Sequence, residues 1–207
     1  MTDLHSPTPE EALARLDEGN LRFREGRTSS ATRRSWSPDM AIQPQRPFAI
    51  ILGCSDSRTP VEILFDEGFG DLFVVRIAGN IVAPSVVGSI EFAAERFGSR
   101  LVVVMGHTRC GAIAATLQAM EGGLGPQSKN IRDITERIAP HLEGVPRSLD
   151  DTDTSAAVRA NVKASAAHLR HGSALIEEMV ATGRVKVVGA EYELETGMVH
   201  FFDGVPL

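Results

Sequence analysis

Cys54, Asp56 and Arg58 occupy alternate positions in "GCSDSRTP", directly after the apolar run "FAIIL". A thiol, a carboxylate and a guanidinium thus share one strand-ending turn. The chain's other cysteine, Cys110, follows His107 in "GHTRCGA", again behind an apolar run, "RLVVVM". Two thiolates and an imidazole are a soft and borderline donor set suited to zinc, with Zn–S near ~2.3 Å and Zn–N near ~2.0 Å. Three ligands leave one position open. Taken singly, a cysteine behind a strand is a packed small hydrophobe, and Asp56 with Arg58 is a turn salt bridge. Their joint placement favours chemistry, because both cysteines, a histidine and an acid–base pair all fall at the ends of apolar runs.

The elements that must position these residues are short β-branched runs closing on glycine. "FAIILG", "DLFVVRIAG", "RLVVVMG" and "RVKVVGAEY" read as strands, and helical patterns such as "VGSIEFAAERFG" and "CGAIAATLQAME" lie between them. Such alternation predicts an α/β fold with parallel strands and right-handed crossovers. "TGMVHFFDG" supplies a final strand after a turn at Gly197. Two or three helices fill Asn130 to Gly183, with Ile131, Ile134 and Ile138, then Val158, Val162 and Leu169, on their apolar faces and a break near Gly172. In open parallel sheets, functional groups gather beyond the carboxyl ends of the strands, at the point where strand order reverses. If the first and third strands are neighbours, Cys54, His107 and Cys110 converge there, and a helix beginning at Cys110 favours its thiolate.

Ahead of this body, Thr8, Pro9 and Glu11 have the spacing of an N-cap, a first-turn proline and a capping-box acid, and Leu13 and Leu16 begin an apolar stripe. Gly26 to Pro47 lacks periodicity and reads as a linker crossing a surface. We therefore expect residues 1–47 to be an arm and linker belonging to the same domain as an α/β body over 48–207. The arm's apolar helix, followed by so polar a linker, needs a partner surface to cover it.

Composition sets limits. The 207 residues are 43% apolar, enough for one core, and the net charge of −6 with scattered lysines and arginines gives no nucleic-acid footprint. No apolar stretch nears the roughly 20 residues that span a bilayer, and no secretion signal is legible. Two cysteines make no disulfide framework, so a cytoplasmic protein without membrane or nucleic-acid partners is expected.

The stretches "CSDSR", "RIAGN", "GSIEFAA" and "GHTRCGA" resemble, in order and spacing, the β-class carbonic anhydrases, and the likeness runs from about Gln45 to Leu207. The resemblance implies strand order 2-1-3-4 with an extra edge strand, one Zn2+ per chain on Cys54, His107 and Cys110, and a catalytic dyad of Asp56 and Arg58. It implies that Gln45, in "QRPF", binds bicarbonate as in the plant-type subgroup. It also implies that Phe73 and Phe92 line an apolar carbon dioxide pocket across a homodimer or dimer of dimers, built through the sheets and the N-terminal arm. Members with a second, inhibitory bicarbonate site carry a tryptophan where this chain has Ile51, so the likeness does not extend to that site.

The activity so implied is reversible hydration of carbon dioxide by a zinc-bound hydroxide, with Asp56 orienting the nucleophile and Arg58 holding Asp56 off the metal. In a closed state Asp56 itself takes the fourth position. Two thiolates cancel both charges of zinc, so alkaline pH should favour activity. No proton shuttle is legible, and His141, His168, His171 and His200 are expected at the surface. A carbon disulfide or carbonyl sulfide hydrolase on the same scaffold, or a non-catalytic closed zinc module, remain as alternatives. A redox pair is disfavoured, because Cys54 and Cys110 form no CxxC.

Overall fold

The computed structural model describes residues 6–28, 38, 42–122, 128–146 and 154–205. Much of the expected linker between Gly26 and Pro47 lies outside the described residues. Five strands form one sheet: β1 (Ala49–Gly53), β2 (Leu72–Arg76), β3 (Leu101–His107), β4 (Lys186–Tyr192) and β5 (Val199–Asp203). Their order is β2-β1-β3-β4-β5, parallel except for the antiparallel β4–β5 pair, the order that the family resemblance implies. Every residue of β1 and β3 is buried, which is why both read as unbroken apolar runs: central parallel strands are covered on both faces. The β4–β5 turn closes at Gly197, whose φ of 73° suits glycine.

Side chains alternate between the faces of the sheet. Ile50, Leu52, Val102, Val104 and Val187 point into one core, covered by α3 (Pro84–Phe97), α4 (Gly111–Met120), α5 (Lys129–Leu142), α6 (Ser155–His171) and α7 (Ala174–Ala181). Ala49, Ile51, Leu101, Val103, Val188 and Ala190 face the other, covered by α1 (Pro9–Arg24) and the short α2 (Val61–Leu64). Ile138, Val158, Val162 and Leu169 are buried as expected, but Ile131 is half exposed at the start of α5. Gly172 ends α6. None of the helices among the described residues is long and apolar enough to cross a membrane.

The arm begins as its sequence suggests. Thr8 Oγ1 accepts from the Glu11 amide at 3.2 Å while the Glu11 carboxylate accepts from the Thr8 amide at 2.8 Å, a complete capping box. Its apolar face differs from expectation: Ala12 and Leu16 are buried against the chain's own sheet, so the cover is intramolecular. The contact is closely built. A Cβ at Gly19 would stand 1.9 Å from the Phe65 carbonyl oxygen, so only glycine lets α1 approach the α2 region this closely. The amide of Asn20 donates to Leu64 O at 3.1 Å and Gly197 O at 2.9 Å and accepts from Val199 N at 2.9 Å. Arg22 pairs with the buried Asp66 at 2.7 Å, and Arg15 pairs with Glu67 while lying 3.9 Å over the Phe48 ring.

Candidate metal centre and active site

β1 and β3 are hydrogen-bonded neighbours, and their carboxyl ends deliver three donor groups to one point. One ligand atom from each of Cys54, His107 and Cys110 lies within 4.8 Å of the other two, and all three residues are buried. Cys54 follows β1, His107 ends β3 and Cys110 is the N-cap of α4. Between the last two, Arg109 takes a φ of 56° in the left-handed region, which turns the chain so that both side chains face inward. Arg109 is tied by Glu195 at 2.6 Å.

The donor set fits a metal on two observations. His107 Nε2 is buried without a hydrogen-bond partner, whereas its Nδ1 lies 2.8 Å from the Thr108 carbonyl, which holds the ring and leaves Nε2 as the free lone pair. The two buried thiols also oppose each other's ionisation. Cys54 is held far below the ordinary thiol range, first by the Cys110 thiol and then by His107 and the Gly79 amide, against the cost of burial. Cys110 is pushed up, first by its bond to Cys54 and then by burial, because a second thiolate would put two negative charges side by side. A divalent cation at this point relieves that repulsion, the condition under which both cysteines ligate.

Asp56 stands beside the triplet, with Oδ2 3.8 Å from His107 Nε2. Arg58 grips it twice: Nε donates to Oδ1 at 2.9 Å and Nη2 to Oδ2 at 2.8 Å, with the Arg58 amide adding a bond to Oδ1 at 2.9 Å. The Arg58 guanidinium holds the Asp56 carboxyl well below the usual carboxylate range, although partial burial opposes it. Five of the residues singled out in the sequence therefore share one site.

The other three do not join that cluster within a single chain. Gln45 is exposed in the segment leading to β1. Phe73, on β2, packs against the core that contains Cys54 and Cys110, and its ring lies 5.9 Å from Phe97. Phe92, on α3, meets Phe97 edge-on at 5.5 Å and is 54% exposed. Phe97, which joins the two, was not singled out in the sequence. Neither was Arg76, which gathers the ligand turn by donating from Nε to Cys54 O at 2.9 Å and from Nη2 to Asp56 O and Thr59 Oγ1. Its signal lies in the strand register, since Arg76 pairs with Gly53 and so stands beside the turn. The histidine expectation also needs correction at two positions: His141 is half-buried and bonded to Asn161 Oδ1 at 2.9 Å, because α5 and α6 pack together there, and His200 is half-buried on β5 beside Glu193 at 3.1 Å.

Comparison with known proteins agrees with this reading. The family model for carbonic anhydrase matches residues 49–199. A carbonic anhydrase of Mycolicibacterium smegmatis is 40% identical over 192 residues, 92% of each chain. Carbonic anhydrase 2 of Mycobacterium tuberculosis is 39% identical over 194 residues, 91% of this chain and 90% of its own. Among solved structures, the β-carbonic anhydrase CafA of Aspergillus fumigatus superposes with a TM-score of 0.68 and 26% identity, covering 96% of this chain and 92% of its own. The chain belongs to the carbonic anhydrase family, and its fold and sequence place it in the β class.

Proposed function

We propose that this chain is a zinc-dependent carbonate dehydratase, a lyase that reversibly converts carbon dioxide and water to bicarbonate and a proton. The observation that carries the reading is the Asp56 carboxylate beside the Cys54–His107–Cys110 triplet, turned toward Arg58 by a two-pronged ion pair. Zinc held by the triplet would acidify a water and so supply the nucleophile.

The chain's own groups do the rest. Asp56 Oδ2 accepts a hydrogen bond from the attacking oxygen and so aims its lone pair at the carbon of carbon dioxide. Being held ionised by Arg58, Asp56 orients the proton it faces and does not store one, so the released proton passes to solvent. Arg58 keeps Asp56 turned away from the point where the three donor atoms meet, which a metal would occupy. Cys54 and Cys110 cancel the charge of a divalent cation, so activity rises toward alkaline pH. Gln45 donates its side-chain amide to bicarbonate, and Phe73 and Phe92 line an apolar pocket for carbon dioxide.

Exposure of the Phe92 ring supports a composite site in which these aromatics serve the zinc of a second copy, so the active unit is a homodimer or a dimer of dimers. Docking of α1 on the sheet supports residues 1–47 and 48–207 as one domain. We place the protein in the cytoplasm, where both cysteines remain reduced and free to ligate. Stopped-flow hydration of carbon dioxide on zinc-quantified protein tests the reading: turnover in proportion to zinc is expected, and fully zinc-loaded protein without hydration activity would refute it.

A further inference from the structure

Behind Cys54 lies a line of hydrogen bonds that the mechanism leaves unused. The Gly79 amide donates to Cys54 Sγ at 3.4 Å. The same residue's carbonyl accepts from Asn161 Nδ2 at 2.9 Å, and Asn161 Oδ1 lies 2.9 Å from His141 Nδ1. Since Asn161 spends its amide on Gly79, its oxygen must be the acceptor and His141 the donor through Nδ1–H. All three donors point the same way, from α5 through α6 to the sulfur.

The seat is specific. Gly79 has a φ of 66°, and a Cβ there would stand 2.7 Å from Ile138 Cδ1 and 3.1 Å from Ala112 Cβ, so only glycine fits. Asn161 is 1% exposed on the buried face of α6, beside Val158 and Val162 and one turn from the buried Ser165, where an amide costs stability unless it is bonded. The N–H and C=O of Gly79 belong to different peptide groups, so Asn161 acts on the sulfur by fixing the residue in place and not by conduction through one amide.

We propose that Asn161, seated by His141, is a positioning residue for the metal centre: it anchors Gly79 so that the Gly79 N–H stays aimed at the Cys54 sulfur. This rests on the reading of Cys54 as a metal ligand. A thiolate that accepts a hydrogen bond gives less charge to its metal, so the bond keeps the cation electron-poor despite two sulfur ligands. The bond therefore offsets part of the alkaline bias that those ligands impose.

Two measurements test this. In nitrogen-labelled wild-type protein loaded with a spin-active cadmium isotope, a scalar coupling between cadmium and the Gly79 amide proton is expected across the N–H···S bond. In cobalt-substituted Asn161→Leu protein, the thiolate-to-metal charge-transfer band should shift to longer wavelength. Its zinc-loaded form should lose activity at neutral pH before alkaline pH. His141→Phe should shift the band the same way by less. Bound cadmium without the Gly79 coupling, or a folded, cobalt-loaded Asn161→Leu protein with the wild-type band, would overturn the proposal while leaving the metal site intact. Failure of wild-type protein to bind either metal would instead overturn the site reading on which it rests.

Discussion

Arg58 holds both carboxylate oxygens of Asp56, through Nε at 2.9 Å and Nη2 at 2.8 Å, and so fixes which way that carboxylate faces. Oδ2 lies 3.8 Å from His107 Nε2, beside the three donor residues, so the grip of Arg58 decides which way it turns. Arg58→Ala should therefore retain zinc yet lose most hydration activity. Metal content and turnover measured on one sample decide it, and wild-type turnover would show the pair to be a bystander.

The same pair sets a pH expectation. The folded pKa of Asp56 is depressed, chiefly by the Arg58 side chain, so the stability it contributes is fully present above the unfolded carboxylate value of about 4. That contribution disappears only as pH falls through the depressed value. The difference in melting temperature between wild type and Arg58→Ala should stay constant from neutral pH to about pH 5 and shrink below about pH 4. A gap that closes already between pH 7 and 5 would contradict the assignment.

Asn20 ties α1 to the body through Leu64, Gly197 and Val199. Asn20→Ala leaves those buried backbone groups unpaired and should cost about 1 to 3 kcal/mol. Denaturant unfolding reads it directly, and an unchanged midpoint would mean that α1 is not held there.

Gln45→Ala should raise the Michaelis constant for bicarbonate dehydration by the worth of one hydrogen bond, about 1 to 3 kcal/mol, without zinc loss. No change in the constant or in turnover would remove Gln45 from the substrate site.

Deleting residues 1–27 removes no zinc ligand, but it bares the sheet face that Ala12 and Leu16 cover. If the site is shared between copies, light scattering and hydration rate should fall together. A monomer with full activity would overturn the composite pocket.

What was legible in the sequence was what leaves a periodic or local trace. The β-branched runs of β1 and β3 announce buried parallel strands, Gly197 marks the last turn, and Cys54, His107 and Cys110 stand where those runs end. The contacts that leave no such trace join residues far apart in the chain without repeating. The approach of Gly19 to Phe65, the reach of Asn20 to Val199 and the bond from Asn161 to Gly79 each depend on a single residue lodged in a packed interface. The arm illustrates the difference: its capping box and apolar stripe were readable, but which surface covers that stripe was decided by Gly19 and Asn20.

Elemental analysis of purified protein decides whether Cys54, His107 and Cys110 hold the catalytic metal. One zinc per chain is expected in wild type, with zinc lost from Cys54→Ser, His107→Ala and Cys110→Ser, each confirmed as folded by circular dichroism. Full zinc occupancy in all three variants would contradict the account.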